Sequence, residues 1–328
     1  MHTGNIRWGI LSTGRISHRF AEAIAFLPDA EVIAVGSRAM DTARRFADQY
    51  RIPRAYASYE ALAADPDVDA VYVSTPHPMH KECSLLCLSA GKAVLCEKPF
   101  TLNAAEAETV VLAARAKGVF LMEAMWTRFL PSIAKVRELI AGGAIGEPRM
   151  VMADFGFRAG FDPHSRIFDP HLGGGGLLDV GVYCASLASM IFGAPTHVSG
   201  FAHLGETGVD EQAGVTLGYP GGQIALIASA VRTSTQHEAW IHGTDGSIKI
   251  HRLWYHAAKL SLLAPGKDEQ VIDAPPEGNG FNYQAAEVGA CLRAGKLEST
   301  IMPLDESISI MRTMDQLRAQ WGLRYPTE

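Results

Sequence analysis

The chain has 328 residues, 48% of them hydrophobic and 20% charged, with a net charge of −6. That length leaves room for a large core and favours two domains over one. The negative balance excludes a field that would gather nucleic acid, no basic run offers a polyanion or membrane surface, and no apolar stretch is expected to reach membrane-spanning length.

In chain order, a short polar start enters the apolar run Ile6–Leu11 at once, which leaves no room for a signal peptide. Helical periodicity follows over Ile16–Phe26, a strand over Val32–Val35 and a helix over Met40–Tyr50. The alternation continues with strand Ala70–Ser74, helix Met79–Ala90, strand Ala93–Cys96, helix Ala104–Lys117 and strand Val119–Met122. Gly91 and Gly118 stand where helices end. Such βαβ alternation predicts a doubly wound parallel sheet.

Beyond Trp126 the pattern changes. A helix at Ser132–Ala141 precedes a strand at Arg149–Phe157, a Gly-, Pro- and His-rich stretch and a helix from about Gly176 to Ile191. Five β runs follow, Thr196–His203, Gln212–Gly218, Gln223–Ala230, Glu238–His242 and Ser247–His251, separated by turn signals such as Pro220-Gly221-Gly222. They read as an open antiparallel sheet. Helices at Tyr283–Ala294 and Leu304–Arg318 close the chain. The fold class expected is α/β: a Rossmann domain over 1–125, then an α+β domain over 126–328 with a large, mostly antiparallel sheet. The last helix is free to pack back on the first domain.

The first strand runs into Gly9-Ile10-Leu11-Ser12-Thr13-Gly14-Arg15-Ile16-Ser17. A glycine-bearing turn there suits a dinucleotide pyrophosphate, held by N–H groups at the helix N-terminus. The G-x-G-x-x-G register falls on 12, 14 and 17 and reads Ser-x-Gly-x-x-Ser, so only Gly14 matches; on this segment alone a non-nucleotide turn is the alternative. The second strand ends in Gly36-Ser37-Arg38, with no carboxylate for a ribose 2′-hydroxyl. A hydroxyl and a guanidinium suit a 2′-phosphate, which predicts NADP, with NAD as the alternative. Thr75, Pro76, His77 and His80 form a rigid lip at the next strand end and are expected at the cofactor.

Glu97-Lys98-Pro99 ends the buried run Ala93–Cys96. A charged pair there is costly unless a ligand needs it, and ligands bind at the carboxyl ends of parallel strands. Gly173–Gly176 precede a helix on which Asp179 and Tyr183, four apart, share a face. A nearby ammonium lowers a phenol from its ordinary pKa of about 10, so Lys98, Tyr183 and Asp179 are the candidate proton-transfer set, a helix-capping Asp and a half-buried core Tyr being the alternative. The five cysteines, Cys83, Cys87, Cys96, Cys184 and Cys291, read as reduced thiols of a cytoplasmic protein, with no metal site.

These motifs resemble the Gfo/Idh/MocA oxidoreductases along essentially the whole chain. The segments 123–131 and 166–183 are most similar to the branch of dimeric dihydrodiol dehydrogenases and NADP-dependent D-xylose dehydrogenases. The resemblance implies Lys98 and Tyr183 as the catalytic pair, Asp179 close to substrate hydroxyls, Trp126 and Arg166 near the nicotinamide, and a homodimer or larger assembly through the open sheet. The activity implied is hydride transfer between NADP and a carbinol carbon of a sugar, cyclitol or trans-dihydrodiol. Trp126, Arg128, Phe155, Phe157, Arg166 and Phe168 are the candidates to line the substrate pocket, ordinary core being the alternative for each. Two other readings stand beside this one: an NAD-dependent glycoside hydrolase with transient oxidation, and a non-catalytic nucleotide-sensing regulator.

Overall fold

The structure, a computed structural model, describes residues 4–328; what was read from the first three residues lies outside it. The chain divides into two compact units, residues up to Trp126 with Glu277–Ile308, and Thr127–Pro276 with Ser309–Glu328.

The first unit is built on a six-stranded parallel sheet of β1 (Ile6–Leu11), β2 (Ala30–Gly36), β3 (Arg54–Tyr56), β4 (Ala70–Val73), β5 (Ala93–Glu97) and β6 (Leu121–Ala124). The order β3-β2-β1-β4-β5-β6 is that of the doubly wound dinucleotide fold, with its reversal at β1 and β4. Helices α1 (Arg15–Ile24), α2 (Met40–Tyr50), α3 (Tyr59–Ala63), α4 (His80–Ser89) and α5 (Ala104–Lys117) connect the strands. Local chemistry sets their ends: Asn103 accepts the Glu106 N–H at 2.9 Å to start α5, and Gly118, at φ 64°, ends it. β4 and β5 are buried throughout, as strands covered on both faces must be. Across that core Trp8 meets Phe20 edge-on and Phe20 stacks on Tyr72 at 3.9 Å.

The second unit carries α6 (Pro131–Ala141), β7 (Pro148–Gly156), α7 (Val182–Phe192) and β8 (His197–Leu204) to β14. The rest of the sheet is β9 (Asp210–Gly218), β10 (Ile224–Ala230), β11 (Ala239–Gly243), β12 (Ser247–Ile250), β13 (Lys259–Leu263) and β14 (Gln270–Asp273), in the order β14-β13-β12-β11-β7-β10-β9-β8. Only β7 and β10 pair in parallel. β9 alternates buried and exposed positions, so one face of the sheet holds the core and the other is open.

Three expectations are corrected. The stretch 277–308, read as part of the second domain, belongs to the first unit. There α8 (Asn282–Arg293) is tied down by Arg293 to Asp29 at 2.7 Å, by Asn279 to the Arg19 carbonyl, and by the Leu121 N–H to the Leu297 carbonyl. The last helix, α9 (Leu304–Trp321), begins in the first unit and ends in the second. The helix expected from Gly176 is not one α-helix: Leu177–Gly181 form a wide π-helical turn that runs into α7. Finally, Pro170–Phe192 is 23 residues long and apolar enough to cross a membrane by length and composition. Its window is 83% buried inside the protein, as in the core helix of a folded domain.

Candidate functional site

In the first unit the candidate residues gather at the carboxyl ends of β1, β2, β4 and β5. Between β1 and α1, Ser12 takes a left-handed φ of 99° and turns the chain sharply. Gly14 caps α1 without a side-chain hydrogen bond, and no acidic residue occupies the first turn. The Ser17 N–H turns back to the Gly14 carbonyl at 3.0 Å, and the N–H groups of Arg15 and Ile16 at the helix start are the ones an anion can use. A Cβ on Gly14 would meet nothing nearer than the Ser12 hydroxyl at 3.7 Å, and Gly14 and Arg15 are exposed beside half-buried Thr13 and Ile16. This open cradle fits a pyrophosphate. Ser17, in the third fingerprint position, is wholly buried and hydrogen-bonds the Ser74 hydroxyl at 2.9 Å. It joins helix to strand, the role of the third glycine in the usual motif.

At the end of β2, Thr42 donates its hydroxyl to the Ala39 carbonyl at 2.8 Å, so in the 2.6 Å contact between Thr42 and Ser37 it is Ser37 that donates. With the Ser37 proton engaged, the exposed Arg38 is the charged donor left for a 2′-phosphate.

Three expected cofactor contacts are spent elsewhere. Gly9 lies inside β1, where a Cβ would sit 3.1 Å from Leu62, so it serves close packing. His80 is fully buried, its ring nitrogens on the Thr75 and Pro99 carbonyls at 2.9 and 2.8 Å. Two carbonyls call for two donors, which only the imidazolium has, yet burial holds the ring below its ordinary pKa and the Lys98 charge adds to this. Burial is the stronger influence. His80 is thus a brace between two strand ends. The Glu97 carboxyl points into the domain, where it accepts from the Tyr72 hydroxyl and, at 3.2 Å, from the Lys98 N–H. Exposed Pro76 and buried Thr75 and His77 remain at the lip, and Lys98 is half-buried at the end of β5. Trp126 stacks on Phe281 at 4.8 Å.

Burial pushes Glu97 up to about 7, partly offset by the Tyr72 hydroxyl and Lys98. Its folded value therefore lies above the unfolded one. The stability it contributes is complete below the unfolded value of about 4.3 and lost as pH rises to about 7. We expect denaturation midpoints to fall over that window, and to fall less in Glu97→Gln; equal slopes for the two proteins would show that Glu97 titrates normally.

In the second unit Asp179 and Tyr183 are both buried, one in the π-helical turn and the other in the first turn of α7. Arg166 reaches the Asp179 carboxylate with two nitrogens, at 3.0 and 3.4 Å. The carboxylate is 7% exposed and the guanidinium 58%, so a solvent-side cation holds a buried anion in place. The Tyr183 ring packs 5.5 Å from Phe155 and 6.2 Å from Tyr255, and those two stack on each other at 3.9 Å and 3°. His237 edges both.

Two expected substrate contacts are corrected here. Arg128 is buried and donates to the Ser186 hydroxyl and carbonyl at 2.9 and 2.7 Å, fastening α7. Phe168 is wholly buried, edge-on to Phe161 with the Arg232 guanidinium 5.7 Å above it. Phe157 is half-buried beyond the end of β7. Sequence reasoning missed Tyr255 and His237; the pair Trp254-Tyr255, two large aromatics in a polar loop, was the signal available. The five cysteines are buried and unbridged, burial pushing Cys83 up to about 11. Among the described residues no three His, Cys, Asp or Glu side chains gather as a metal would need.

Comparison with known proteins gives two family matches. Residues 6–125 match the GFO/IDH/MocA oxidoreductase family with NAD-binding Rossmann fold, and residues 133–249 match the GFO/IDH/MocA C-terminal domain. The chain is 41% identical to a mouse (Mus musculus) trans-1,2-dihydrobenzene-1,2-diol dehydrogenase, over 98% of this chain and 99% of the relative. To the human (Homo sapiens) protein of that name it is 38% identical at the same coverage. Among solved structures it resembles a 3-ketoreductase from Actinomadura kijaniata in complex with NADP and TDP-benzene: TM-score 0.85, 27% identity, 96% of this chain and 98% of that one. It also resembles an aldose-aldose oxidoreductase from Caulobacter crescentus complexed with glycerol: TM-score 0.87, 26% identity, 95% and 96% of the two chains.

Proposed function

From the GFO/IDH/MocA oxidoreductase family, to which this chain belongs, we propose an NADP-dependent dehydrogenase that oxidises a carbinol carbon of a ring-shaped diol or sugar, and reduces the matching ketone in reverse. The observation that carries the reading is the buried Asp179 and Tyr183 on one helical segment, held by Arg166 and backed by the flat Phe155–Tyr255 stack. A ring face packs well on such a stack, which favours trans-dihydrodiols and cyclic sugars over open-chain alcohols.

In this reading α1 and the Ser12–Gly14 turn hold the pyrophosphate, Arg38 holds the 2′-phosphate, and Thr75–His77 border the cofactor. Bound nicotinamide supplies the hydride chemistry. Tyr183 takes the proton from the substrate hydroxyl as the C–H bond breaks, and Lys98 stabilises the phenolate that results. Asp179, held in place by Arg166, accepts a hydrogen bond from a neighbouring substrate hydroxyl and fixes which carbon reacts.

The test is an absorbance screen of aldoses (D-xylose among them), cyclitols and trans-diols with NADP, repeated with NAD. Steady growth of reduced cofactor with a ring-shaped substrate is the expected result; turnover without net reduction would replace the dehydrogenase by a transient-oxidation hydrolase. Arg38→Ala should weaken NADP binding by about tenfold to 10²-fold, the worth of hydrogen bonds to a charged group, and leave NAD unchanged. Equal losses for both cofactors in a fluorescence titration would remove the 2′-phosphate role.

The reading extends to assembly. The open face of the second unit's sheet exposes Met152, Ile224 and Leu226, and Met152 and Leu226 line a hollow of about 480 Å³ with Trp240, apolar area that supports a homodimer or larger homo-oligomer. Sedimentation equilibrium giving the mass of a single chain at working concentration would remove it. A cytoplasmic setting is supported by the unbridged thiols, and fractionation of the source cells tests it.

A further inference from the structure

The four glycines at 173–176 are not explained by the cofactor or by the proton-transfer set, and neither is the buried carboxyl of Asp210. The two belong together. Asp210 begins β9 and is wholly buried. Its Oδ2 accepts the Leu177 N–H at 2.6 Å, at the first residue of the π-helical turn that carries Asp179. The Gly176 N–H faces the same carboxyl. A Cβ on Gly175 would lie 2.2 Å from Asp210 Oδ1, and Gly175 has a φ of +113°, so only glycine admits the carboxyl to the backbone. One residue earlier, the buried Tyr325 hydroxyl donates to the Gly174 carbonyl at 2.7 Å. Tyr325 in turn lies under the Arg318 guanidinium, 5.0 Å away, which Glu328 and Asp315 hold at 2.8 and 2.7 Å.

We propose that Asp210 is a positioning residue of the candidate site: seated in a socket of glycines, its carboxyl grips the start of the segment that presents Asp179 and Tyr183. The Tyr325–Arg318 strap closes the socket from the C-terminal side. A wide turn has fewer neighbours to fix its pitch than an α-helix, so an outside acceptor at its first N–H sets where Asp179 and, four residues on, Tyr183 stand. The inference rests on the dehydrogenase reading for its consequence and not for its geometry.

The ionisable groups facing Asp210 are Arg318 and Tyr325, from the last helix and the tail. The glycine run offers only backbone, and β10 places the uncharged Ser229 beside Gly176. Burial pushes Asp210 up to about 7, with the N–H groups and Arg318 opposing. Protonation weakens its hold on the Leu177 N–H, because a neutral carboxyl is the poorer acceptor.

The experiment compares wild type with Asp210→Asn, Tyr325→Phe and Glu97→Gln. Asp210→Asn should bind NADPH normally but turn over about tenfold to 10²-fold more slowly, as displaced catalytic groups do. Wild-type kcat should fall on the acid side of an inflection near 7, which Asp210→Asn loses and Glu97→Gln, whose carboxyl titrates in the other unit, keeps. Without any turnover, amide exchange in residues 174–183 should be faster in both Asp210→Asn and Tyr325→Phe. If Asp210→Asn does not fold, the milder Tyr325→Phe carries the exchange test. Unchanged exchange, or a kcat of Asp210→Asn equal to wild type, overturns the proposal. A wild type that oxidises no diol or sugar sinks the dehydrogenase reading alone, since the exchange arm reads the socket directly.

Discussion

Tyr183→Phe should lower kcat by about 10² to 10⁴, the range that positioned proton transfer contributes, with NADP affinity unchanged. Phenylalanine keeps the ring that packs 5.5 Å from Phe155 and 6.2 Å from Tyr255, so the aromatic wall stays filled. The variant removes one oxygen and its proton from the candidate site. If that oxygen takes the substrate proton, kcat and kcat/KM fall together, because the lost interaction belongs to the transition state. If the oxygen only helps to bind substrate, KM rises and kcat holds. A stopped-flow measurement of the hydride step under saturating substrate separates the two, and a step as fast as wild type would take Tyr183 out of the chemistry. Melting temperature serves as the control: a shift much larger than one lost hydrogen bond would show that the hydroxyl was structural.

Much of the first unit could be read from residue pattern, and the reason is physical. Strands buried on both faces, such as Ala93–Glu97, are continuous apolar runs, and the helices between them carry their own start and stop signals. Met40–Tyr50 and Ala104–Lys117 have the bounds their periodicity predicts. What escaped was short or set by distant partners. Arg54–Tyr56 and Tyr59–Ala63 are too brief for any period to register, and the outer strands Lys259–Leu263 and Gln270–Asp273 run for only five and four residues beside polar loops. The placement of 277–308 depends on contacts such as Arg293 with Asp29, which no local window contains.

The candidate site divides along the same line. Of the residues chosen because their chemistry is unusual for their place, Lys98 follows the end of β5, and Asp179 and Tyr183 are buried on one helical segment. Other residues named for the site are spent elsewhere. Gly9, His80, Glu97, Arg128 and Phe168 all sit beside the right segments, but each is consumed by packing or by a hydrogen bond from elsewhere in its unit. The π-helical turn at Leu177–Gly181 has no sequence period of its own, since its geometry comes from Asp210, more than thirty residues away in the chain.

Lys98→Met should be at least as damaging to kcat as loss of the phenol, for a reason the first unit's electrostatics makes testable without substrate. Methionine keeps the apolar stem and removes only the ammonium. In the native protein that charge lowers both the Glu97 carboxyl and the His80 ring from where burial alone would hold them. Taking it away must move both upward. The Glu97 titration, followed by carboxyl-carbon NMR or by the pH window over which stability falls, is therefore expected above its native value of about 7 in Lys98→Met. An unmoved Glu97 would mean that the lysine charge points away from the strand end. A moved Glu97 with full kcat would mean that the charge is there and the chemistry does not use it. The expected pairing, a raised carboxyl together with a kcat lowered by about 10² or more, requires the ammonium at the end of β5 to act on the reacting oxygen and not merely on its neighbours in the first unit.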